Sequence, residues 1–323
     1  MSGAGRSRRS RLAVIGSLNA DLTLLVGRLP GPGETVLSSA PGTVGFGGKG
    51  GNQAAAAAAF GAAVVMIARV GDDDTGERIR GDLRDRGVDV SRVRTTPGAR
   101  SGGATIAVDP AGENLILVDP GANGALVPGD IDPDVLDGAG AVLLQLEIPL
   151  ATVAAAAAKA SAPVVLNPAP AAPLGPDLLA DVDVLVPNRA ELALLAGEAA
   201  AAPAAPPSGL AATAALARKL RGGLDVVVTL GTDGALVVPG SGGPATHIAA
   251  PAVTAVDATG AGDCFCGTLA VLLAEGVGLA DAARISVAAA ALSVTVAGAR
   301  GLLPGRGQAE ALAAGLVATI VPG

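Results

Sequence analysis

The sequence predicts an α/β fold in three layers, with helices on both faces of a mostly parallel central sheet and a small additional β-sheet that forms a lid. Short β-branched runs alternate with Ala-rich helical stretches, a pattern typical of parallel strands joined by helices. Half of the 323 residues are hydrophobic, which is enough to bury a large core. Stretches at about 34–40 and 104–118 break the alternation and have the pattern of exposed strands, so we expect the lid there.

The individual elements follow from runs of similar residues between chain breakers. Six β-branched runs predict the buried strands of the central sheet, at Leu12–Ile15, Val64–Ile67, Val142–Leu144, Val164–Leu166, Val184–Val186 and Val226–Leu230. Good helix formers between Gly, Pro and Asn residues predict seven helices, at Asn52–Phe60, Gly76–Arg86, Leu150–Ala160, Arg189–Ala196, Leu210–Leu220, Gly262–Glu275 and Leu279–Val296. A Pro-Ala-Gly-Glu turn at 110–113 joins the lid strands Ala104–Val108 and Leu115–Val118.

Three stretches of the sequence contain no predicted catalytic or binding residues. The Arg-rich residues 1–10 superficially resemble an export signal, but Asn19 and Asp21 interrupt the apolar segment that should follow, so we expect a disordered tail and a cytoplasmic protein. The apolar run Ala54–Ala68 is shorter than the ~18 residues needed to cross a bilayer, and no membrane segment is predicted. The Ala/Pro-rich segment Glu198–Gly209 predicts a surface loop, and residues 11–323 are assigned to one domain.

The composition excludes several classes of site. His247 is the single histidine, so a His-rich zinc site is impossible and a Ser-His-Asp centre has one candidate only. A net charge of −7, no Trp or Tyr and only 3 Phe argue against nucleic-acid binding, which uses cationic surfaces and aromatic stacking. Cys264 and Cys266 are too close for an ordinary structural bridge and predict two small core residues in a reducing compartment.

The Gly-dense segment GFGGKGGNQA at 45–54 runs directly into a predicted helix. Such a loop lets a ligand approach the backbone closely. The segment contains G-x-G-x-x-G, but no convincing strand leads into it, which disfavours a dinucleotide fold. A phosphate loop of the Walker A type is excluded, because Thr43 and Gly50 stand where that motif needs Gly and Ser or Thr.

The segment DATGAGD at 257–263 follows a predicted strand at Val253–Val256 and opens a long helix. The N–H groups of Gly260, Ala261 and Gly262 would lie at the positive end of the helix dipole, where phosphate oxygens or a developing anion bind. Asp263 in the first helical turn could simply complement the dipole. Beside an anion it would repel phosphate, so its presence there is better explained if it removes a proton from an attacking hydroxyl.

The triplet Asn19-Ala20-Asp21 follows the first predicted strand, at the sheet edge where ligands of open α/β folds bind. Asp and Asn at alternate positions can point the same way and hydrogen-bond adjacent hydroxyl groups. The same residues could equally cap a turn, and both interpretations stay open.

With these three segments the chain resembles the ribokinase-like (PfkB) family of carbohydrate kinases from about Arg11 to Leu312. The resemblance rests on GGKGGNQA at 47–54 and DATGAGD at 257–263, and on further segments at 143–149, 166–170, 186–191 and 228–234. It implies ATP-dependent phosphorylation of the 5-hydroxyl of D-ribose to D-ribose 5-phosphate, Mg²⁺ with the nucleotide, activation by K⁺, and a homodimer formed through the lid. A kinase for another unphosphorylated sugar or a nucleoside is the alternative, and a non-catalytic sugar-binding regulator is a remote one.

The resemblance also implies roles for single residues. Asp263 is implied as the general base, and the backbone of Gly260, Ala261 and Gly262 as the anion hole. The implied sugar contacts are Asn19, Ala20, Asp21, Gly48, Lys49, Gly50, Gly51, Asn52, Glu147 and Asp263. The implied nucleotide contacts are Asn188, Thr229, Leu230, Gly231, Thr232, Asp233, Gly234, Gly262 and Val287. Water-mediated Mg²⁺ contacts are implied for Asn188 and Glu191, and a monovalent cation for Asp257, Thr259, Ser293, Val296 and Gly298.

The sugar contacts implied in this way suit a neutral polyol. They include carboxylates together with amide and ammonium donors, whereas a sugar phosphate would need an additional Arg and would be opposed by the acidic pair. The scarcity of aromatic residues argues against a nucleoside, whose base is usually held between aromatic rings. The chain departs from the family pattern at three positions, Arg189, Val287 and Leu302.

Overall fold

The computed structural model describes residues 10–197, 208–220 and 223–322. The predicted tail, apart from Ser10, and the predicted surface loop, apart from Ser208 and Gly209, lie outside these residues. The described strands are β1 (Arg11–Ile15), β2 (Asn19–Leu25), β3 (Thr43–Gly47), β4 (Ala63–Gly71), β5 (Asp89–Thr96), β6 (Gly102–Val108), β7 (Asn114–Asp119), β8 (Ala141–Leu144), β9 (Val164–Leu166), β10 (Val184–Leu185), β11 (Asp225–Thr229), β12 (Ala235–Val238), β13 (Ala245–Ile248) and β14 (Ala318–Val321).

The described helices are α1 (Lys49–Ala59), α2 (Asp74–Asp85), α3 (Pro133–Asp137), α4 (Leu150–Lys159), α5 (Pro176–Ala180), α6 (Arg189–Leu195), α7 (Leu210–Ala217), α8 (Ala261–Ala274), α9 (Leu279–Ser293) and α10 (Arg306–Ala313). The seven helices expected from the sequence are confirmed, with ends that differ by a few residues. Within the described ranges none of these helices has the length and hydropathy needed to span a bilayer.

The central sheet has ten strands in the order β14-β13-β12-β11-β10-β9-β8-β1-β4-β5. All strand pairs from β11 to β5 are parallel, and the three strands at the other end are antiparallel. Successive residues of a strand point to opposite faces, so Val14 enters the core that contains α8 and α9, and Ile15 enters the core that contains α4. The predicted three-layer fold is confirmed.

The core beneath α1 and α8 depends on small residues. A run of Ala in α1 faces α8, and a Cβ at Gly267 would lie 2.5 Å from the Gln53 carbonyl oxygen. The middle of α8 therefore approaches the first half of α1 closely. Cys264 and Cys266 are free and buried in this core, as predicted, and burial raises the pKa of both thiols.

The lid is a separate four-stranded sheet in the order β3-β2-β6-β7. Its strands β6 and β7 confirm the expectation at 104–118, but the predicted strand at 34–40 is wrong. That stretch is exposed and forms no strand, and Ser38 makes only an isolated bridge to Val26. The actual first lid strand is β2, whose alternation of polar and apolar residues from Asn19 to Leu25 has the period of a half-buried strand.

Two further expectations about strands are wrong. The stretch 253–256 forms no strand, because the chain has already left the sheet at the end of β13, Ile248. Its end is held at the C-terminus of α9, where the N–H groups of Val256 and Asp257 both donate to the Val294 carbonyl. A strand does lead into the Gly-dense segment: β3 ends at Gly47, two residues before α1 begins. Since β3 is an antiparallel lid strand, the arrangement is still not the strand-helix-strand unit of a dinucleotide fold.

Candidate active site

The residues singled out in the sequence meet at the carboxyl ends of the parallel strands. Ser17 follows β1, Glu147 follows β8, Asn188 follows β10, and Thr229 is the last residue of β11. Helices α1 and α8 begin at the same edge, and the lid strand β2 continues from β1 across it. Ligands of open α/β sheets bind at this edge, so the fold places the predicted residues where such a site belongs.

Asp263 lies in the first turn of α8 and is buried between two amide side chains of α1. Asn52 Nδ2 donates to Oδ2 at 2.9 Å, and Gln53 Nε2 donates to Oδ1 at 3.0 Å. Burial raises the pKa of Asp263, against the opposing effects of the Lys49 ammonium and the two hydrogen bonds. The arrangement fixes the carboxylate plane and favours a proton acceptor with a raised pKa, as general-base catalysis requires.

Each of these amides is oriented by a further residue that sequence reasoning missed. Arg300 Nε donates to Asn52 Oδ1 at 2.8 Å, and Gln145 Nε2 donates to Gln53 Oε1. Gln53 also donates to Asn167 Oδ1 at 3.2 Å. The sequence signal for such orienting residues is a polar residue isolated in apolar surroundings, such as Gln145 within LLQLEIP. That signal does not identify the partner of the residue.

Two of the predicted sugar contacts, Asn19 and Glu147, line a cleft of about 420 Å³. Asn19 and Val118 line it from the lid, and Asn123 and Glu147 line it from the main domain. The side chain of Ser17 and the N–H group of Lys49 both donate to Glu147 Oε2, the latter at 2.9 Å. Asn123 Nδ2 donates to Asn19 Oδ1 at 2.7 Å. The polar side chains under the lid are therefore held in place before any ligand binds.

Asp21 differs from these residues because part of its carboxylate is unsatisfied. Its Oδ1 is buried and has no hydrogen-bond partner within the described residues. Burial, followed by repulsion from Glu147, raises the pKa of Asp21 to about 6, against the field of Arg300 and a backbone hydrogen bond from Ala104. A buried acceptor without a donor is unfavourable, and a hydroxyl group under the lid would supply one.

Not every predicted sugar contact faces this cleft. Ala20 alternates with Asn19 and Asp21 along β2, so its side chain points to the other face of the lid sheet and packs against the apolar core. Gly50 serves packing, since a Cβ there would lie 2.7 Å from the Gly16 carbonyl carbon and the Ser17 nitrogen. It lets α1 begin directly against the end of β1.

Lys49 is the cation of the site. Burial lowers its pKa, but the carboxylates of Asp263, Glu147 and Glu191 raise it by more, and the net shift is upward. The ammonium group therefore stays charged and offsets the repulsion among three acidic residues contributed by three different segments. Burial is the main cause that raises the pKa of Glu191. The Lys49 ammonium lowers this pKa and the Asp263 carboxylate raises it further.

The start of α8 has the backbone expected of an anion site, with one difference. Gly260 adopts the left-handed conformation at φ 78° and directs the chain into the helix. The N–H group of Ala261 already donates to the Ala258 carbonyl at 3.2 Å, so it is partly used within the turn. The position that a Cβ of Gly262 would occupy is open space. The approach to this end of the helix dipole is therefore free at Gly262.

The predicted nucleotide loop begins at the end of β11, where Thr229 forms a bridge with Asn188. Leu230 is buried, and a 3₁₀ turn spans Gly231–Asp233. Thr232 and Asp233 line a cleft of about 650 Å³, together with Arg189, Leu210, His247, Ala249 and Ala250. Val287 is not among the lining residues; it is 4% exposed in α9 and packs in the core. The loop faces a ligand-sized cleft, whereas Val287 serves packing.

Asn188 and Glu191, the implied magnesium contacts, form a capping box at the start of α6. Asn188 Oδ1 accepts from the Glu191 N–H group and Glu191 Oε2 accepts from the Asn188 N–H group, both at 2.8 Å. This is a structural role of its own. The cap uses one carboxylate oxygen of Glu191, Oε2. Its other oxygen, Oε1, is a hard oxygen ligand of the kind that suits a hydrated Mg²⁺ beside phosphates.

Asp257 joins two of the other implied monovalent-cation residues, Thr259 and Gly298. Its carboxylate accepts from the Thr259 N–H group at 2.9 Å and from the Gly298 N–H group at 2.8 Å, which joins the segment before α8 to the segment after α9. Burial opposes ionisation, but these hydrogen bonds prevail and lower the pKa of Asp257. Ser293 ends α9, where helix carbonyl groups carry partial negative charge. Carbonyl oxygens and a carboxylate are the kind of oxygen ligands that a hard cation prefers.

A family model described as pfkB family carbohydrate kinase matches residues 9–306. The ribokinase of Haemophilus influenzae is 36% identical over 304 residues, which cover 92% of this chain and 96% of that protein. A deoxyribokinase of Salmonella typhi is also 36% identical, over 301 residues that cover 91% of this chain and 95% of that protein.

Solved structures show the same similarity in three dimensions. The structure of Arabidopsis thaliana ribokinase complexed with ribose and ATP matches with a TM-score of 0.82 at 32% identity, covering 94% of this chain and 99% of that chain. Thermotoga maritima ribokinase matches with a TM-score of 0.81 at 32% identity, covering 93% and 98%. The likeness therefore includes the lid as well as the central sheet.

Proposed function

This chain belongs to the pfkB family of carbohydrate kinases, and we propose that it transfers the γ-phosphoryl group of ATP to the 5-hydroxyl of D-ribose, giving D-ribose 5-phosphate and ADP. It is an ATP-dependent carbohydrate kinase. The observation that carries the choice of a neutral sugar is the unsatisfied Asp21 carboxylate under the lid, close enough to Glu147 for each to repel the other's charge. Two neighbouring carboxylates accept hydrogen bonds from hydroxyl groups and repel the phosphate group of a sugar that is already phosphorylated.

In the proposed transfer step, Asp263 accepts the proton of the sugar 5-hydroxyl as that oxygen attacks the γ-phosphorus. The new bond joins the sugar oxygen to phosphorus, and the bond to the bridging oxygen of ADP breaks with its electron pair going to ADP. The two amides at Asp263 hold its carboxylate in one plane throughout. Negative charge on the transferred group lies at the start of α8, where Gly262 leaves room for it and the helix dipole is favourable.

Metal ions are assigned to the residues that fit them. Asn188 and Glu191 would hold Mg²⁺ through water, and the ion would neutralise charge on the nucleotide phosphates. Thr229, Leu230, Gly231, Thr232, Asp233 and Gly234 would bind the rest of the nucleotide, with Asp233 fixed by an ion pair to Arg189 at 3.1 Å. The monovalent cation would lie between Asp257 and the end of α9, next to the predicted anion hole.

A kinase for 2-deoxyribose is the second candidate, favoured by a specific observation. The deoxyribokinase of Salmonella typhi is as similar to this chain as the ribokinase of Haemophilus influenzae, at 36% identity each. The two sugars differ by one hydroxyl group, which a site with a buried unpaired acceptor would distinguish strongly. Asp21 therefore favours the sugar with more donors.

The test is ADP release with a panel of acceptors: ribose, 2-deoxyribose, fructose, adenosine and pseudouridine, each in potassium and in sodium buffer with Mg²⁺. We expect the highest kcat/KM for ribose and a higher rate in potassium. A higher kcat/KM for any other acceptor would overturn the assignment of ribose. Failure to release ADP with every acceptor would instead favour the non-catalytic regulator.

A further inference from the structure

Arg300 is a buried arginine whose three donor groups reach three different elements. It lies in the loop after α9 and is 8% exposed. Nε donates to Asn52 Oδ1 in α1 at 2.8 Å, Nη1 to Asp82 Oδ2 in α2 at 2.6 Å, and Nη2 to the carbonyl of Gly47 in β3 at 2.9 Å. A buried guanidinium is unfavourable unless its donors are satisfied, and here all three nitrogens have partners. The lid strand, the start of α1 and α2 thus meet at one side chain.

The contact with Asn52 sets the orientation of its amide group. Because Arg300 Nε can only donate, the Asn52 atom that faces it must be the oxygen Oδ1. The nitrogen Nδ2 is then turned toward Asp263 Oδ2, 2.9 Å away. The reversed amide would place donor against donor at Arg300 and acceptor against acceptor at Asp263. Arg300 therefore selects the one orientation in which Asn52 donates to the carboxylate.

We propose that Arg300 is a positioning residue for the phosphoryl transfer: it orients the Asn52 amide, and through it the Asp263 carboxylate, while holding the end of the lid strand β3 at the Gly47 carbonyl. The proposal rests on the proposed function, in which Asp263 is the base. It assigns to the loop after α9 a role in the reaction that no substrate contact would reveal, since Arg300 acts only through other residues.

The surrounding chain leaves space for this side chain. A Cβ at Gly51 would lie 2.3 Å from Arg300 Nη2, so any larger residue at position 51 would displace the guanidinium. The contact with Asp82 is an ion pair, which keeps a charged group in the buried position. Gly51, implied as a sugar contact by resemblance, is accounted for here by the space that Arg300 needs.

The expected effect of losing Arg300 is intermediate in size, because Asp263 is held from two sides. Gln53 donates to the other carboxylate oxygen and is itself oriented by Gln145. Removing Arg300 frees only the Asn52 side of this arrangement. Misplacement of a catalytic group by a fraction of an ångström to 1 Å costs about tenfold to a hundredfold in rate. The loss should therefore be smaller than that caused by removing the base.

The test compares Arg300→Met with Arg69→Met. Arg69 on β4 is a matched control because it also forms an ion pair with an aspartate, Asp130, at 2.6 Å, while its hydrogen bonds go to Asp130 and Thr96 and to no residue assigned to the site. We expect Arg300→Met to lower kcat about tenfold to a hundredfold. KM for the sugar should rise by a smaller factor, because the positive charge of Arg300 also lowers the pKa of Asp21. Arg69→Met should lose stability and keep its kcat. Equal kcat values for Arg300→Met and the wild type would overturn the proposal.

A double-variant cycle tests whether Arg300 acts through Asn52. In an Asn52→Leu background the additional change Arg300→Met should lower kcat by less than about twofold, because the residue it orients is already absent. A full multiplicative loss would overturn the mechanism. If Arg300→Met does not fold, Arg300→Lys is used. It keeps the charge but lacks the planar fork, so its kcat should also fall, and a wild-type kcat would overturn the proposal.

A second readout separates this proposal from the proposed function. The side-chain amide protons of Asn52 in ¹⁵N-labelled protein should exchange slowly in the wild type and in Arg69→Met, and quickly in Arg300→Met. If the wild type phosphorylates no acceptor, the proposed function fails while this exchange measurement still tests the orientation of Asn52. If the wild type is an active kinase and Arg300→Met changes neither kcat nor the exchange, the Arg300 proposal alone fails.

Discussion

Asp263 is the residue on which the proposed reaction depends most directly. Asp263→Asn keeps the size of the side chain but cannot accept the proton. The NH₂ group of the new amide would also face the donor group of either Asn52 or Gln53. We expect kcat to fall about 10²- to 10⁴-fold, the usual contribution of a general base, while the Kd for the sugar changes little. Steady-state kinetics and calorimetric sugar titration measure the two quantities. A kcat within tenfold of the wild type would remove Asp263 from the role of base.

Asp21 illustrates how a binding residue lowers stability. Its folded pKa of about 6 lies above the ordinary aspartate value of 3.8, so the folded state holds this proton more tightly than the unfolded chain does. The stabilising contribution is therefore present below pH 4 and is lost as the pH rises through about 6. Above that pH the ionised, partly buried carboxylate lowers the free energy of unfolding.

The variant Asp21→Asn tests this effect. We expect its free energy of unfolding at pH 7.5 to exceed that of the wild type by about 1 kcal/mol, a value reduced for partial solvent exposure, and the difference to vanish at pH 4. Its KM for the sugar should rise at pH 7.5. Denaturant titrations at the two pH values measure stability, and an equal difference at both would show that the carboxyl pKa is not responsible.

Sequence reasoning at the residue scale named groups whose chemistry suits a ligand contact but missed the residues that orient those groups. Asp263, Asn52 and Glu147 lie in motifs with a recognisable chemical pattern, and the structure brings them together. Gln145 and Arg300 could not be found in that way, because their roles depend on partners 92 and 248 positions away in the chain. A polar residue in an apolar stretch indicates that it has a hydrogen-bond partner, but the local sequence does not show which residue that partner is.

At the scale of the element, two glycines at the start of α8 have opposite requirements. Gly260 has φ 78°, and a Cβ there would lie 2.7 Å from the Ala299 carbonyl oxygen. Gly262 has a helical backbone and open space in the place of its Cβ. One glycine is needed for the turn itself, and the other leaves the approach to the helix end unobstructed.

Gly260→Ala and Gly262→Ala therefore form a matched pair. We expect Gly260→Ala to lose about 2 kcal/mol or more of stability from left-handed strain and the backbone clash. Gly262→Ala should unfold at the wild-type temperature, yet its kcat/KM for ATP should fall at least about tenfold, because the methyl group occupies the place proposed for the transferred phosphoryl group. Thermal unfolding and ATP kinetics measure both, and normal ATP kinetics in Gly262→Ala would contradict the proposed anion site.

The sequence predicted buried elements better than exposed ones. Strands such as β1 and β8 are continuous apolar runs and admit no other location than the centre of a parallel sheet. In the lid, the sequence leaves Asn19 and Asp21 open as ligand contacts or turn caps, because Asn and Asp also favour turns. The stretch 34–40 has the pattern of a strand, although among the described residues its pairing is limited to the isolated bridge of Ser38 to Val26. Pairing of β2 with β6 is a long-range contact that local patterns do not specify.

At the scale of the whole molecule, the lid is attached through the segments that carry the site. Strand β2 follows β1 after three residues, and β3 ends two residues before α1. Asp21 therefore lies on the lid, whereas Lys49 and Asn52 lie on the helix into which the lid strand leads. A ligand held by Asp21 would be coupled through the backbone to the helix that orients Asp263, so in the proposed function sugar binding and the transfer step would share one structural unit.

The lid sheet also exposes apolar residues that its own ligand cannot cover. The register aligns Leu117 of β7 with Thr105, Leu22 and Val44 on one face, while Val118, Ala104 and Asp21 share the opposite face. Leu117 is 63% exposed and Val44 56% exposed on the face away from Asp21. Exposed apolar surface on a β-sheet favours association, so we expect a second copy of the chain to cover this face.

Leu117→Glu tests that expectation, with Ile320→Glu as its control. Ile320 is 70% exposed on β14, at the far end of the central sheet, so the same charge is introduced at an equally exposed apolar site outside the lid. By light scattering at micromolar concentration, the wild type and Ile320→Glu should have twice the chain mass of 30.8 kDa, and Leu117→Glu that of one chain. Burying a carboxylate in an apolar interface is unfavourable enough to dissociate it. A wild type with the mass of one chain would show that the lid face is not an interface between copies.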